Sequence, residues 1–148
     1  LLEHLSVKES ENDILDLASG NGVIADHILH QKPNSEVHLV DDSFLAVESS
    51  KMNVDENAHF HWNDSLEDFD DESLDLVVSN PPFHFEYETN IEVTISLFTQ
   101  VQRCLNESGR FVLVANKHLN YKTHLDKLFK TCSITAENDK FEIYECLK

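Results

Sequence analysis

Four consecutive residues, Asn80-Pro81-Pro82-Phe83, carry the most chemistry in the chain, and they follow Leu74-Asp75-Leu76-Val77-Val78-Ser79, an apolar run that reads as a buried strand. Proline is excluded from a central strand, so the chain must turn outward at the strand's carboxyl end. A residue that precedes proline is held extended, which fixes where the Asn80 side chain and the Pro81 carbonyl point. Neither proline has an N–H to compete for acceptors gathered there. The turn presents an amide oxygen, a bare carbonyl and an aromatic ring: two acceptors for the N–H groups of a planar amine, and a surface to stack on it. Read alone, the same residues could serve only to end a strand.

A second group lies near the amino terminus, in Asp16-Leu17-Ala18-Ser19-Gly20-Asn21-Gly22. Gly20 and Gly22 are two of the three glycines in the chain. A sequence so sparing with glycine keeps it where a side chain would obstruct backbone or ligand, and a glycine turn between strand and helix lets a ligand approach the helix amino terminus. Gly20-x-Gly22-x-x-Ala25 also fits the dinucleotide pattern G-x-G-x-x-A. About 20 residues further on, where a nucleotide fold places the acid that bonds ribose hydroxyls, stand Asp41 and Asp42. Asp41 is the first choice and Asp42 the adjacent alternative. Asn63-Asp64 closes the next extended stretch. The competing readings are a plain turn for the glycines and solvated strand ends for the acids.

Alternating strands and helices are needed to bring these groups together. Strands are predicted over 13–18, 36–40, 58–62, 73–79 and 111–115. Helical stripes fall at Ile24, Ala25, Ile28 and Leu29, from a Ser43 cap to about Met52, and at Ile91, Ile95, Phe98 and Leu105 behind a Thr89/Glu92 capping pair. Asn120 is read as the cap of a last helix with Tyr121, Leu125, Leu128 and Phe129, residues 107–110 as a turn, and residues 1–9 as the end of a helix. Residues 133–136 and 141–146 form a terminal hairpin. The expected fold is α/β, a doubly wound, mostly parallel sheet with a C-terminal antiparallel hairpin, in which ligands bind beyond the carboxyl ends of the strands.

The 148 residues, 41% hydrophobic, read as one domain, and the absence of any long apolar run or signal peptide points to a cytoplasmic protein. The net charge of −17, from 11 basic and 28 acidic residues, opposes nonspecific binding to a phosphate backbone. Cys104, Cys132 and Cys146 are odd in number and lack C-x-x-C spacing, so reduced, mostly buried thiols are expected. His27, His30, His38, His59 and His61 share no ligand spacing on one element, so no metal is expected. Lys117 and His118 are basic residues just past the fifth strand, able to meet a phosphate or simply to be solvated.

An Asp-x-x-x-Gly-x-Gly loop, an acid after strand two, Asn-Asp after strand three and Asn-Pro-Pro-Phe after strand four together resemble the class I S-adenosylmethionine-dependent methyltransferases, whose sheet is Rossmann-like. Asp16 to Ile24, Val40-Asp41-Asp42-Ser43, Ser79 to His84 and Val114 to Tyr121 are similar to the catalytic half of ribosomal RNA guanine-N2 methyltransferases, the large-subunit type above all. The resemblance implies S-adenosylmethionine as cofactor, with Asp16, Gly20 and Gly22 along its methionine end and ribose side, Asp41 on the ribose, and Asn63 with Asp64 near the adenine amino group. It implies that Asn80, Pro81 and Phe83 serve the target base. Ala18 departs from the family pattern, which has glycine there. The resemblance also implies that the chain is the C-terminal half of a longer protein whose amino-terminal half helps engage ribosomal RNA.

On these residues the expected reaction is methyl transfer to an exocyclic amine, with guanine N2 favoured over adenine N6 or a protein glutamine amide by resemblance alone. A nicotinamide-dependent oxidoreductase would use the glycine loop and Asp41 but leaves Asn80 to Phe83 without a role. A cofactor-binding module without turnover is the third reading. His84 to Glu88 is read as a flap over the substrate or as a plain surface loop.

Overall fold

A computed structural model describes residues 1–55, 57–81 and 89–148, the side chains of Thr89 and Asn90 excepted. Among these residues seven strands, β1 (Asp13–Leu17), β2 (Glu36–Asp41), β3 (His59–Trp62), β4 (Leu74–Ser79), β5 (Leu105–Asn116), β6 (Thr131–Glu137) and β7 (Phe141–Leu147), form one sheet in the order β3-β2-β1-β4-β5-β7-β6. Neighbours from β3 to β5 run parallel, while β7 is antiparallel to both β5 and β6. Helices α1 (Val23–Gln31), α2 (Phe44–Asn53), α3 (Thr89–Cys104) and α4 (Lys122–Leu128) complete the fold.

Period-two alternation divides the strand residues between two cores, as a sheet covered on both faces requires. Ile14, Val37, Leu39, Leu76 and Val78 pack with Ile24, Ala25 and Ile28 of α1. Leu15, Leu17, Val40, Val77 and Leu113 pack with Phe98 and Val101 of α3 and Leu125 of α4. The sheet order reverses between β1 and β4, where Leu17 and Ser79 are register partners and the Ser79 hydroxyl donates to the Leu17 carbonyl at 2.8 Å. The loops that begin at Ala18 and Asn80 therefore leave the sheet side by side, at the topological switch point.

Several sequence expectations change in detail. Residues 107–110 are not a turn between elements but lie in a bulge of β5, since Leu74 pairs with Leu105 while Leu76 already pairs with Arg110. Asn120 does not start α4; it ends a 3-10 turn over Lys117–Leu119 in the left-handed conformation, φ 49°, which asparagine tolerates. Residues Leu2–His4 form a single 3-10 turn rather than a helix end. Cys132 and Cys146, expected as thiols, are cross-strand partners in β6 and β7 and are joined by a disulfide, whereas Cys104 is free and buried. Only the hairpin register brings that pair face to face.

Two polar clusters are also products of topology. The buried Arg110 guanidinium donates to both Glu11 oxygens at 2.5 and 3.0 Å, to Glu145 at 2.7 Å and to the Ser6 carbonyl at 2.5 Å, pinning the amino-terminal segment to β5 and β7. On the β2–β3 edge, the His38 ring stacks on His59 and His61 with centroids 4.6 and 5.3 Å apart. Burial, then the neighbouring His59 and His61, lower the His38 pKa to about 4 against the pull of Glu36.

Candidate functional site

The cofactor-type loop forms because two glycines take conformations that other residues rarely adopt. Gly20 has φ +54° and Gly22 φ +84°, and Gly22 caps α1. Their surroundings differ. A Cβ on Gly20 would meet nothing within 4 Å, so this residue leaves open space, whereas a Cβ on Gly22 would lie 2.5 Å from Val54 Cγ2 and 3.1 Å from Ser50 Cβ. Gly22 is thus fixed by the packing of α1 against the end of α2, a role the sequence pattern did not distinguish from ligand approach. Ala18, where the family pattern has glycine, is also left-handed at φ 58°.

A cleft of about 340 Å³ opens above this loop, with Ala18, Ser19, Gly20 and Asn21 on one side, Asn80 on another and Leu1 and Leu2 as an apolar wall. Asn80 is exposed at the end of β4. The structure therefore brings the glycine loop and the first residue of the proline turn into one cavity, although they are far apart in sequence. Pro81 follows in place; Pro82, Phe83 and the stretch from His84 to Glu88 lie outside the described residues.

Beneath the loop, Asp16 is fully buried, and one carboxylate oxygen accepts from the Ala25 N–H at 3.1 Å in the first turn of α1. The other oxygen, Oδ1, has no hydrogen-bond partner among the described residues, and neither does the buried Ser19 hydroxyl. Burial pushes the Asp16 carboxyl up to about 7, with the Ala25 N–H acting against it and nearby Asp41 with it. Buried polar atoms without partners are costly. Two such atoms, one at the end of β1 and one in the loop that follows it, fit a ligand that brings a cationic or hydrogen-bonding group, as the amino-acid end of S-adenosylmethionine does. Ser19 lies inside the motif without a role that its residue type signals, and Leu1 and Leu2 belong to the segment expected only to end a helix.

At the end of β2, the Asp41 carboxylate accepts from Gly20 N at 2.8 Å and from Ser43 N at 2.9 Å, which ties the second loop to the first. Ser43 in turn caps α2 through its bond from Ala46 N. Asp42 is exposed, and its carbonyl accepts from Trp62 Nε1 at 3.0 Å. Of the Asn63-Asp64 pair, the Asn63 side chain is occupied in its own turn, accepting from Ser65 N at 3.2 Å and donating to Asp68 at 3.2 Å, while Asp64 is exposed. Asp16 and Asp41 thus lie in the carboxyl ends of β1 and β2, and Gly20 and Asn80 follow the carboxyl ends of β1 and β4. Lys117 is paired with Glu137 at 2.5 Å, and His118 bonds Asn116 at 2.7 Å. Among the described residues, no group of three or more histidine, cysteine or acidic side chains has the geometry to hold a metal ion, and no helix is long and apolar enough to cross a membrane.

Comparison with known proteins bears on the same residues. A family model described as methyltransferase small domain matches residues 1–145. Ribosomal RNA large subunit methyltransferase G of Serratia proteamaculans (strain 568) is 38% identical over 154 residues, covering 99% of this chain and 40% of that protein. The protein of the same name from Shewanella oneidensis is 37% identical over 144 residues, covering 93% of this chain and 38% of that protein. The chain thus spans about 40% of the length of these relatives. Among solved structures, the Thermus thermophilus 16S rRNA N2 G1207 methyltransferase, in complex with AdoMet and guanosine, superposes with a TM-score of 0.76 at 24% identity over 92% of this chain and 37% of that one.

Proposed function

The chain belongs to the methyltransferase small domain family, and from that premise we propose that it transfers a methyl group from S-adenosylmethionine to the exocyclic N2 amine of a guanine in ribosomal RNA. The observation that carries the proposal is the shared cleft of Gly20 and Asn80, formed where β1 and β4 flank the switch point. The two relatives named as large-subunit ribosomal RNA methyltransferases support the substrate class. The chain acts as one catalytic domain of a longer protein whose remainder engages the RNA, consistent with a net charge of −17 and with relatives more than twice as long.

The residues divide the work. Asp16 Oδ1 and Ser19 Oγ, both without partners among the described residues, receive the ammonium and carboxylate end of the cofactor together with the backbone of Gly20. Asp41 keeps its bonds to Gly20 N and Ser43 N and offers remaining lone pairs to the ribose hydroxyls. Asp64 serves the adenine edge, and Asp42, Asn63 and Gly22 shape the two loops around it. When bound, the cofactor supplies a methyl group already activated on a sulfonium sulfur, so positioning rather than strong acid or base chemistry lowers the barrier.

On the substrate side, an exocyclic amine has its lone pair delocalised into the base ring and is a poor nucleophile. The Asn80 amide oxygen and the Pro81 carbonyl take its two N–H groups and turn the lone pair out of the ring plane. Phe83 stacks on the base, an interaction worth about 1–3 kcal/mol. A paired guanine must first be flipped out of its helix.

The test uses the full-length protein with labelled S-adenosylmethionine and ribosomal RNA, followed by nucleoside mass spectrometry. N2-methylguanosine is expected. Asn80→Ala should abolish transfer while leaving S-adenosylhomocysteine affinity within about twofold, because Asn80 touches substrate and not cofactor. Label appearing in adenine or in a peptide release factor, or an Asn80→Ala enzyme with unchanged turnover, would overturn the reading.

A further inference from the structure

The segment after β3 is held only in part by its own bonds. Asn63 N donates to the Asp41 carbonyl at 3.1 Å, the Asn63 side chain closes its own turn and reaches Asp68, and Phe69 N donates to the Leu66 carbonyl at 3.1 Å. Beyond that, α3 fixes it from the far side. Gln100 Oε1 accepts from Leu66 N at 2.7 Å, and Arg103 Nη2 donates to Leu66 O at 2.8 Å. Arg103 Nη1 reaches further, to the Phe69 carbonyl at 2.9 Å and to Asp71 Oδ1 at 2.5 Å.

The Leu66 N–H is therefore taken by Gln100 and its carbonyl is shared between Phe69 N and Arg103, the two α3 side chains lying three residues apart. Their spacing puts them on one helix face. Leu66 itself is fully buried beside Phe98, Val101 and Cys104, so its side chain anchors the segment while Gln100 and Arg103 set its rotation. A mis-set rotation at Leu66 moves Asp64, two residues away, which has no other side-chain tether among the described residues. Neither Gln100 nor Arg103 belongs to a sequence motif; α3 presents its apolar stripe to the sheet and these two polar residues to the loop.

We propose that Gln100 and Arg103 are positioning residues for the nucleotide end of the cofactor, acting through Leu66 to present Asp64 to the adenine. The inference rests on the assignment of Asp64 to the adenine edge given above. The Leu66 N–H has one acceptor, so removing the Gln100 carbonyl leaves a buried donor unpaired or forces the segment to shift. Gln100→Glu keeps an acceptor in place, whereas Gln100→Ala does not.

The full-length protein is titrated calorimetrically with S-adenosylhomocysteine, with 5′-methylthioadenosine, which keeps the adenine but lacks the amino-acid end, and with S-ribosylhomocysteine, which lacks the adenine. Gln100→Ala should weaken the first two about tenfold and leave the third unchanged. It should raise KM for S-adenosylmethionine with kcat at saturation and KM for RNA held within about twofold, and Gln100→Glu should restore binding. Equal weakening of all three ligands, or binding by Gln100→Ala as tight as wild type while Asp64→Ala is weakened, overturns the positioning role. If Asp64→Ala itself binds as wild type, the adenine assignment falls, and this inference with it.

Discussion

The Asp41 carboxylate accepts the Gly20 N–H at 2.8 Å across 21 residues of sequence, so the acid at the end of β2 holds the turn at the end of β1. It is a brace as well as a candidate ribose ligand, because its second oxygen is taken by Ser43 N at 2.9 Å. Asp41→Ala removes two charge-assisted bonds from a nearly buried position and should cost about 2–4 kcal/mol of stability. Asp41→Asn keeps one acceptor and should cost less, yet both variants should weaken S-adenosylhomocysteine by tenfold or more, about 1.4 kcal/mol or above. Urea denaturation and calorimetry on the same samples separate the two roles; equal affinity in wild type and Asp41→Asn would confine the residue to bracing.

The two loop glycines should respond differently, Gly22 mainly in stability and Gly20 mainly in ligand affinity. Gly22→Ala places a methyl 2.5 Å from Val54 Cγ2 at a φ of +84°, and should destabilise the protein by about 2–4 kcal/mol. Val54→Ala in that background should recover part of the loss, a coupling that a double-mutant cycle measures. Gly20→Ala meets nothing within 4 Å, so only the left-handed backbone resists it, at about 1–2 kcal/mol. Its larger effect should be on S-adenosylhomocysteine affinity, since the new methyl enters the ligand cleft.

Asp16 and His38 give the stability a pH dependence of opposed signs. Asp16 has a folded pKa raised from 3.8 to about 7, so its contribution is full below the unfolded value and is lost as pH rises through 7. His38 has a folded pKa lowered from 6.5 to about 4, so its contribution is present above 6.5 and is lost as pH falls toward 4. Denaturation midpoints measured across that range should lose their acid-side fall in His38→Gln and their decline toward neutrality in Asp16→Asn. Asp16→Asn should also be more stable than wild type at about pH 8, yet bind S-adenosylhomocysteine more weakly. Parallel midpoint profiles for wild type and both variants would contradict the assignment.

Much of the architecture was legible because burial on both faces leaves a strong mark on strands such as Leu74–Ser79 and on the middle of β5. The cofactor loop and Asn80 were legible as residue types whose roles need a carboxyl edge. What the sequence could not yield depended on contacts between distant segments. Gly20 and Gly22 look alike in a motif, and only Val54 tells them apart. Asn63 offers an amide for a ligand until Asp68 and Ser65 are seen to occupy it. Cys132 and Cys146 carry no spacing signal, since their pairing is set by the β6–β7 register. Residues 107–110 have turn composition, and a bulge uses the same composition inside a strand. The histidines at 38, 59 and 61 gather only because β2 and β3 lie side by side.

Arg110 joins Glu11 and Glu145 through one guanidinium, a contact spanning 99 residues to one side and 35 to the other. Glu11 has only the local Lys8 N–H until β5 supplies Arg110, and Glu145 completes the clamp only when the last strand has been made. The clamp therefore belongs to the slow, nonlocal stage of folding, in which loop-closure entropy is lost before the contact forms. On a ribosome, the early β1–α1–β2 unit would emerge with Glu11 awaiting Arg110, and the closing of β7 onto β5 would complete the seam that joins the beginning of the chain to its end.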